Sequence, residues 1–439
     1  MKGVAVRMRG RGGPAQGTAG LPDTIARAVT EIDDMLAASD HVLRTRYPGD
    51  RPGRQPVHTA YVPADQFHPD LAAEWGHRAM QALADCAPSL ADFGAAMGLP
   101  DDIAAIVRER VAVKLSSEPV EDFRLDFEDG YKPAGDPNAT EDADAIAAAR
   151  HLAQAAASGS APPFTGIRSK SLEAATRLRA IRTITIFLAE LLAHGPLPAG
   201  FVLTLPKVSS ADQVLALALL CDRLEQTFGL PGGRLSFEVQ AETPQLILGP
   251  DGGATIAHCV RAGGARLTGV HYGTYDYAAA LGIAGEFQRL DHPAADHARE
   301  TLQVALAGTG VRLSDGSLNV LPTGSRSEVV AAWQQHSDLV RRALERGLYQ
   351  GWDLHPAQLA SRYAATYGFF VAGLPRACER LLSYTESAKS GTLEEPATAR
   401  ALAGFLLRGH DCGAISAADI SERCDLDLTV LSTLREARR

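Results

Sequence analysis

The stretch LSFEVQAETPQ, Leu235 to Gln245, decides how this chain is read. Its first half alternates like a strand with one face turned to a core. It then carries an acid, Glu242, to the strand end and stops there with Thr243 and Pro244. A carboxylate is costly to bury unpaired. It is tolerated where a strand opens into a solvent-filled mouth, and it is useful there if a cation sits beside it.

Similar stretches recur outward from this one. They are VHTAYVPAD (57–65), DFRLDFEDG (122–130), FTGIRSKS (164–171), GFVLTLPKV (200–208), ARLTGVHYGTYD (265–276), a weaker segment near 311–321, and LYQGWDLHP (348–356). Alanine-rich helical patterns separate them. One of these, SSADQVLALALLCDRLEQTFG, has a start signal at Ser210 and a stop at Phe228-Gly229. Eight strands with intervening helices predict an α/β fold, a closed (β/α)8 TIM barrel. A doubly wound sheet is the rival, but no Gly-x-Gly-x-x-Gly follows the first strand. The expected organisation is an N-terminal arm and helix over 1–56, the barrel over 57–358, and a helical C-terminal extension over 359–439.

The chain has 439 residues, 46% of them apolar, and a formal net charge of −9. That balance argues against a nucleic-acid partner, which is usually met by a basic face. The six cysteines form no C-x-x-C pair and no dense disulfide pattern, so reduced thiols and a cytoplasmic location are expected. The opening MKGVAVRMRGRGGPAQG is basic and Gly-rich without the apolar core of a secretory signal. It reads as a disordered arm. No apolar run approaches the ~20 residues of a membrane span, so no membrane partner is expected.

Polar residues gather at the C-terminal tips of the proposed strands. The second ends in Asp126, Glu128 and Asp129, the third in Arg168, Ser169 and Lys170, and the fourth in Pro206-Lys207. The fifth ends in Glu242, the sixth in His271, Tyr272, Gly273 and Asp276, and the eighth in Asp353 and His355. A lone acid at a strand end is usually a turn former or a cap. Acids and bases converging from consecutive strands of a barrel meet at one mouth, where such folds place their chemistry. Glu242 and Asp276 lie one βα unit apart. Two such carboxylates repel unless a cation or proton sits between them. Their oxygen chemistry suits Mg²⁺, with Mn²⁺ as an alternative. The plain alternative is a structural ion pair of Glu242 with Lys207 or Arg168. Arg168 offers a planar fork for a carboxylate or phosphate. Lys207 adds a point charge, and a Schiff-base role would require its pKa to be lowered.

Six segments, LDFEDGY, IRSKS, LTLPKV, VQAETPQ, VHYGTYDYAAALGI and GWDLHPAQL, together resemble the HpcH/HpaI aldolase and citrate lyase β-subunit family. That family belongs to the phosphoenolpyruvate/pyruvate-binding barrels. The order and approximate spacing agree from residue 57 to 358. The resemblance implies that Glu242 and Asp276 ligate the divalent metal and that Arg168 holds the substrate carboxylate. Glu128 and Asp129 would fix metal-bound water, and Lys207 would support the mouth. Arg168, Lys170, Gly273 and Thr274 are the implied substrate contacts. His271 joins Glu128 and Asp129 as a candidate for proton transfer. Lys170 stands where that family has Asn, Pro244 and Gln245 where it has small residues, and His271-Tyr272 where it has an apolar residue and Phe. A free 2-oxo or hydroxy acid and an acyl-CoA thioester are both open as the small anionic substrate.

The expected reaction is metal-assisted carbon–carbon cleavage or formation through an enolate, by a homo-oligomer. Three rivals are a malate-synthase-like condensation, metal-dependent phosphotransfer or hydrolysis, and a non-catalytic accessory subunit of a lyase complex. The like-charge pair at 242 and 276 argues against the last, because a barrel without chemistry gains nothing from it.

Overall fold

The computed structural model describes residues 21–133, 135–390 and 396–436. The stretch expected to be a disordered arm, residues 1–17, lies outside the described residues. Two units divide the chain, residues 1–49 and 50–439. In the first, the helix expected within residues 1–56 runs Asp23–Arg46 and buries none of its residues.

The second unit holds eight strands: β1 His58–Pro63, β2 Asp122–Asp126, β3 Phe164–Arg168, β4 Gly200–Leu205, β5 Ser236–Ala241, β6 Leu267–Tyr272, β7 Arg312–Ser314 and β8 Gly351–Asp353. Each pairs in parallel with the next from β1 to β7, and β8 pairs in parallel with β1. Closure comes just past β7. The Asp315 N–H donates to the Gln350 carbonyl at 2.8 Å, and Ser317 bridges to Trp352. The result is an α/β TIM barrel with a helical C-terminal extension. β7 is shorter than the segment 311–321 suggested. After Ser314 the chain is drawn off by Asp315, whose carboxylate accepts from Arg299 Nη1 at 2.5 Å and from the Gly316 N–H at 2.9 Å.

The alternation in β5 is real, but its apolar side faces outward. Phe237, Val239 and Ala241 join the hydrophobic core, while Glu238, Gln240 and Glu242 share the opposite parity. Arg124 of β2 shows where that parity points. Its Nε reaches Glu238 Oε1 of β5 at 2.8 Å and Thr204 Oγ1 of β4 at 2.9 Å, which is possible only across the barrel interior. Arg124 also pairs with Asp122, and His271 Nε2 lies 3.0 Å from Glu238 Oε2. The barrel is therefore filled by a buried ionic network instead of the layers of branched apolar side chains common in this fold.

Helix Ala211–Phe228 starts where Gln213 accepts from the Ser209 and Ser210 N–H groups and stops at Gly229, φ 66°. Its buried Glu225 ties the helix to the entry of β5. It accepts from the Leu235 and Gly233 N–H groups at 2.6 and 3.0 Å and from both terminal nitrogens of Arg266 at 2.7 and 2.6 Å. Those bonds, Arg266 foremost, hold its carboxyl down at about 2. A depressed carboxyl contributes stability that is fully present above its ordinary value near 4.5 and is lost as pH falls toward 2. Glu225→Gln is expected to cost about 2–3 kcal/mol at neutral pH and to flatten the acid limb of the stability profile. Urea melts across the acid range check this.

The extension consists of helices Gln358–Ser390, Pro396–Asp411, Ala417–Cys424 and Leu428–Glu436. Arg362 fastens the first of them to β8 by donating to Asp353 at 2.9–3.2 Å, and His58 Nδ1 of β1 lies 3.0 Å from the same carboxylate. Burial works to raise Asp353, but Arg362, His336 and His58 outweigh it and hold the group well below the carboxylate range. Cys378 and Cys424 form a disulfide with Cα atoms 5.1 Å apart. This corrects the expectation of reduced thiols throughout. The pair is invisible in the sequence because helix packing, not spacing, brings the two cysteines together. Among the described residues, no helix is long and apolar enough to cross a membrane.

Candidate functional site

The C-terminal mouth of the barrel is organised by Asp126, the last residue of β2. Its carboxylate accepts from the Glu128 and Gly130 N–H groups at 2.9 and 2.8 Å, which folds the loop after β2 back on itself. The same two oxygens take Arg168 Nε and Nη2, each at 2.6 Å. The guanidinium fork expected to face substrate is thus held by a neighbouring acid. Arg168 keeps Nη1, which lies 3.3 Å from Gln240 Oε1 and 3.7 Å from Glu128 Oε2. Its plane lies over the Tyr61 ring at 4.8 Å.

Lys207 is the second organiser. It is a non-glycine residue with φ 52°, a conformation that costs of order 1 kcal/mol or more and concentrates at functional sites. That turn aims its backbone N–H at Glu242 Oε1, 2.6 Å away. Its ammonium goes elsewhere: it pairs with Glu128, lies 2.9 Å from Asp129 Oδ1, and lies 3.8 Å from Asp276 Oδ2. Burial opposes the charge, but Glu128 and Asp129 hold Lys207 above its ordinary value. A Schiff-base lysine needs the opposite shift.

Glu242 is the unusual member. Its residue is 4% exposed, and among the described residues no cationic side chain forms an ion pair with it. Burial pushes its carboxyl up to about 7, Glu128 and Asp276 add to the rise, and Arg168 and the Lys207 N–H work against it. The structural ion pair weighed as the alternative therefore does not form with either Lys207 or Arg168. Glu128 is also pushed to about 7, first by burial and then by its hydrogen bond with Asp129. Asp129 is lowered, because its bonds to Glu128 and Lys207 outweigh burial. Exposure grades outward from buried Glu242 to Asp276, whose side chain is 46% exposed.

Gly273 makes room for Glu242. A Cβ there would lie 2.6 Å from Glu242 Cβ and 2.9 Å from its Oε2. Gly273→Ala is expected to cost about 1–3 kcal/mol by overpacking and to displace the Glu242 carboxylate. Thermal melts together with a crystal structure of the variant check both effects.

Three further expected site residues sit elsewhere. His271 is not at the mouth. It lies inside the barrel against Glu238, with Nδ1 3.5 Å from the Tyr61 hydroxyl, because its strand parity turns it into the ionic network. Lys170 is drawn outward, to the Phe127 carbonyl at 2.7 Å and Glu141 Oε2 at 3.0 Å. Thr274 is buried and donates to the Ser317 carbonyl at 3.4 Å, so it braces the loop past β7. Gln240 and Tyr61 enter the site without having been singled out, and Asp126, named only as a strand-end acid, becomes its organiser. Their shared inward parity with Arg168 and Glu242 was the available signal. His355 accepts from the Ala357 N–H at 3.2 Å and orders the turn after β8.

Among the described residues, no cluster of three or more His, Cys, Asp or Glu forms a ready-made metal cage. Magnesium does not require one, since it commonly takes one or two carboxylates and completes its shell with water and substrate. A buried carboxyl without a side-chain cation, next to a second acid, fits that donor set, and Glu242 and Asp276 are the residues that would hold the ion.

Fold and mouth together define a TIM-barrel protein with an acidic mouth held by one arginine and one lysine. The chain belongs to the family described as a domain of unknown function (DUF6986), whose model matches residues 36–439. Comparison with curated proteins gives no match. Among solved structures, the magnesium/glyoxylate complex of Haloferax volcanii malate synthase is 14% identical over 88% of this chain and 100% of its own, with a TM-score of 0.47. The citrate lyase β subunit from M. tuberculosis, complexed with oxaloacetate and magnesium, is 18% identical over 71% and 96%, with a TM-score of 0.40. An HpcH/HpaI aldolase/citrate lyase family protein from Burkholderia cenocepacia is 14% identical over 70% and 91%, with a TM-score of 0.41.

Proposed function

We propose that this chain is a divalent-metal-dependent carbon–carbon lyase of the aldolase type. Its substrate is a small 2-oxo or hydroxy carboxylic acid, or the acyl-CoA thioester of one, and the reaction passes through an enolate. The observation that carries this reading is Glu242, a buried strand-end carboxyl with no side-chain cation of its own among the described residues and with Asp276 beside it. A bound Mg²⁺ or Mn²⁺ would polarise the substrate oxygens and offset the negative charge that develops on the enolate.

The chain's own residues supply the rest. Arg168 Nη1, the guanidinium nitrogen that Asp126 does not hold, donates to the substrate carboxylate. The Lys207 ammonium adds positive potential where the enolate oxygen develops. Glu128 is the best-suited proton acceptor of the set, because a carboxyl with a pKa of about 7 is matched to proton transfer near neutral pH. In the cleavage direction its carboxylate takes the proton of the substrate β-hydroxyl as the carbon–carbon bond breaks and the electron pair moves into the enolate. Asp129, held ionised, keeps Lys207 in place.

A screen of 2-oxo acids, hydroxy acids and hydroxyacyl-CoA thioesters tests the assignment, with glyoxylate plus acetyl-CoA as the condensation arm. Each is run with Mg²⁺ and with a chelator. Retro-aldol products formed only with the metal are the expected result. Activity confined to the glyoxylate arm would replace the lyase reading with the condensing one, and turnover undiminished by the chelator would end the metal-dependent reading.

A further inference from the structure

We infer that a second ligand site lies at the opposite, N-terminal end of the barrel: a cavity of about 350 Å³ that takes a small organic oxyanion, with its negative group between Arg51 and Arg312 and its body against Leu348, Tyr349 and Phe370. The site is independent of the reaction proposed for the mouth. Its walls come from the segments that enter the strands: Val57 ahead of β1, Arg312 at the start of β7, and Leu348 and Tyr349 ahead of β8. The volume falls within the range of small-molecule sites, roughly 300–1,000 Å³.

Charge identifies the occupant. Arg51, Arg312, Arg408 and Arg435 line the cavity, against two acids, Asp50 and Asp411. Arg408 is answered by Asp50 at 3.0 Å and lies over the Tyr349 ring at 4.5 Å. Among the described residues, Arg51 and Arg312 have no such ion pair. Arg51 donates to the Gly310, Ala265 and Leu267 carbonyls at 3.0, 2.9 and 3.0 Å. Arg312 donates to those of Arg54 and Gly53 at 2.8 and 3.0 Å. Carbonyl acceptors fix the two guanidinium planes without cancelling their charge, and among the described residues no carboxylate forms an ion pair with either. Burial pushes Arg312 down to about 10, Arg51 and Arg408 push the same way, and Asp50 and Asp411 offset this only in part. A half-buried pair of like charges is destabilising unless an opposite charge joins it, and guanidinium groups recognise planar or tetrahedral oxyanions with directed hydrogen bonds. Phosphate monoesters and carboxylates share that chemistry. The aromatic and leucine walls favour either on an apolar body over a bare ion.

Calorimetric titration of the full-length chain with phenyl phosphate, phenylacetate and inorganic phosphate tests the site. At least one of the two aromatic anions should bind saturably and more tightly than inorganic phosphate, and the tighter of them identifies the headgroup. Arg312→Gln should weaken that binding about tenfold or more, the loss of a charge-assisted hydrogen bond. Asp411→Asn, which removes a competing negative charge, should tighten it. Glu242→Gln, at the other end of the barrel, should leave it unchanged. Absence of saturable binding by both aromatic anions overturns the inference, as does loss of binding in Glu242→Gln, which would place the anion at the mouth. Should Arg312→Gln fail to fold, Asp411→Asn decides, since an unchanged affinity there also overturns it.

Discussion

Arg168→Lys lowers the melting temperature and kcat/KM together. Arg168 gives Asp126 two parallel bonds of 2.6 Å, both buried. Lysine keeps the charge but cannot reproduce the fork. Asp126 is then left with its two backbone donors from Glu128 and Gly130, and the expected loss is about 2–4 kcal/mol. The loop that Asp126 folds carries Glu128, and Arg168 Nη1 is the donor left for substrate. Both consequences act on the transition state, so kcat/KM should fall by a factor on the order of 10². Melting curves and steady-state kinetics on the substrate found by the screen are read as a pair. A lowered melting temperature with normal turnover would make Arg168 a purely structural partner of Asp126. Impaired turnover with unchanged stability would mean that the Asp126 contact counts for little.

Glu242→Gln has effects of opposite sign on activity and stability. The variant keeps an oxygen to accept the Lys207 N–H, so the backbone turn survives, but it removes a buried acid that has no side-chain cation among the described residues. On the proposed metal-dependent reading, activity should fall about 10³-fold or more, because a bound cation would lose one of its two carboxylate ligands. Stability should move the other way. A carboxyl whose pKa is raised by folding, here to about 7, favours the native state most when protonated. That advantage fades as pH rises from about 4.5 through 7 and becomes a cost above it. In metal-free protein above pH 7, the glutamine variant should therefore match or exceed the parent, by up to about 3 kcal/mol. Chemical denaturation at two pH values with a chelator present measures this. A variant that is less stable at high pH, or fully active with Mg²⁺, would contradict the reading of Glu242.

The strands were legible because each combines an apolar alternation with a punctuated end, and the helices because their starts and stops are written in Ser210, Gly229 and their counterparts. The interior was less legible. The alternation of Phe237, Val239 and Ala241 shows that one face is buried, but not whether that face looks inward or toward the helices. Here the helices take it, and Arg124, Glu238 and His271 fill the barrel. That choice removed His271 from the mouth. Side-chain partners were the least legible, because they depend on reach across strands. Asp126 claims the Arg168 fork, and Glu141, on a helix outside the barrel, claims Lys170. The Cys378–Cys424 disulfide was hidden for the same reason. Glu242 and Asp276 could be paired from the sequence because they follow consecutive strands, Glu242 directly after β5 and Asp276 in the first helical turn after β6, and that spacing brings both near Lys207.

Calorimetric titration with Mg²⁺ of the parent chain, Glu242→Gln and Asp276→Asn tests the central claim most directly. The parent should bind one ion, and each substitution should weaken that binding by about a hundredfold or more without disturbing the fold. Unchanged affinity in both variants, or no Mg²⁺ binding by the parent in the presence of its substrate, would contradict it.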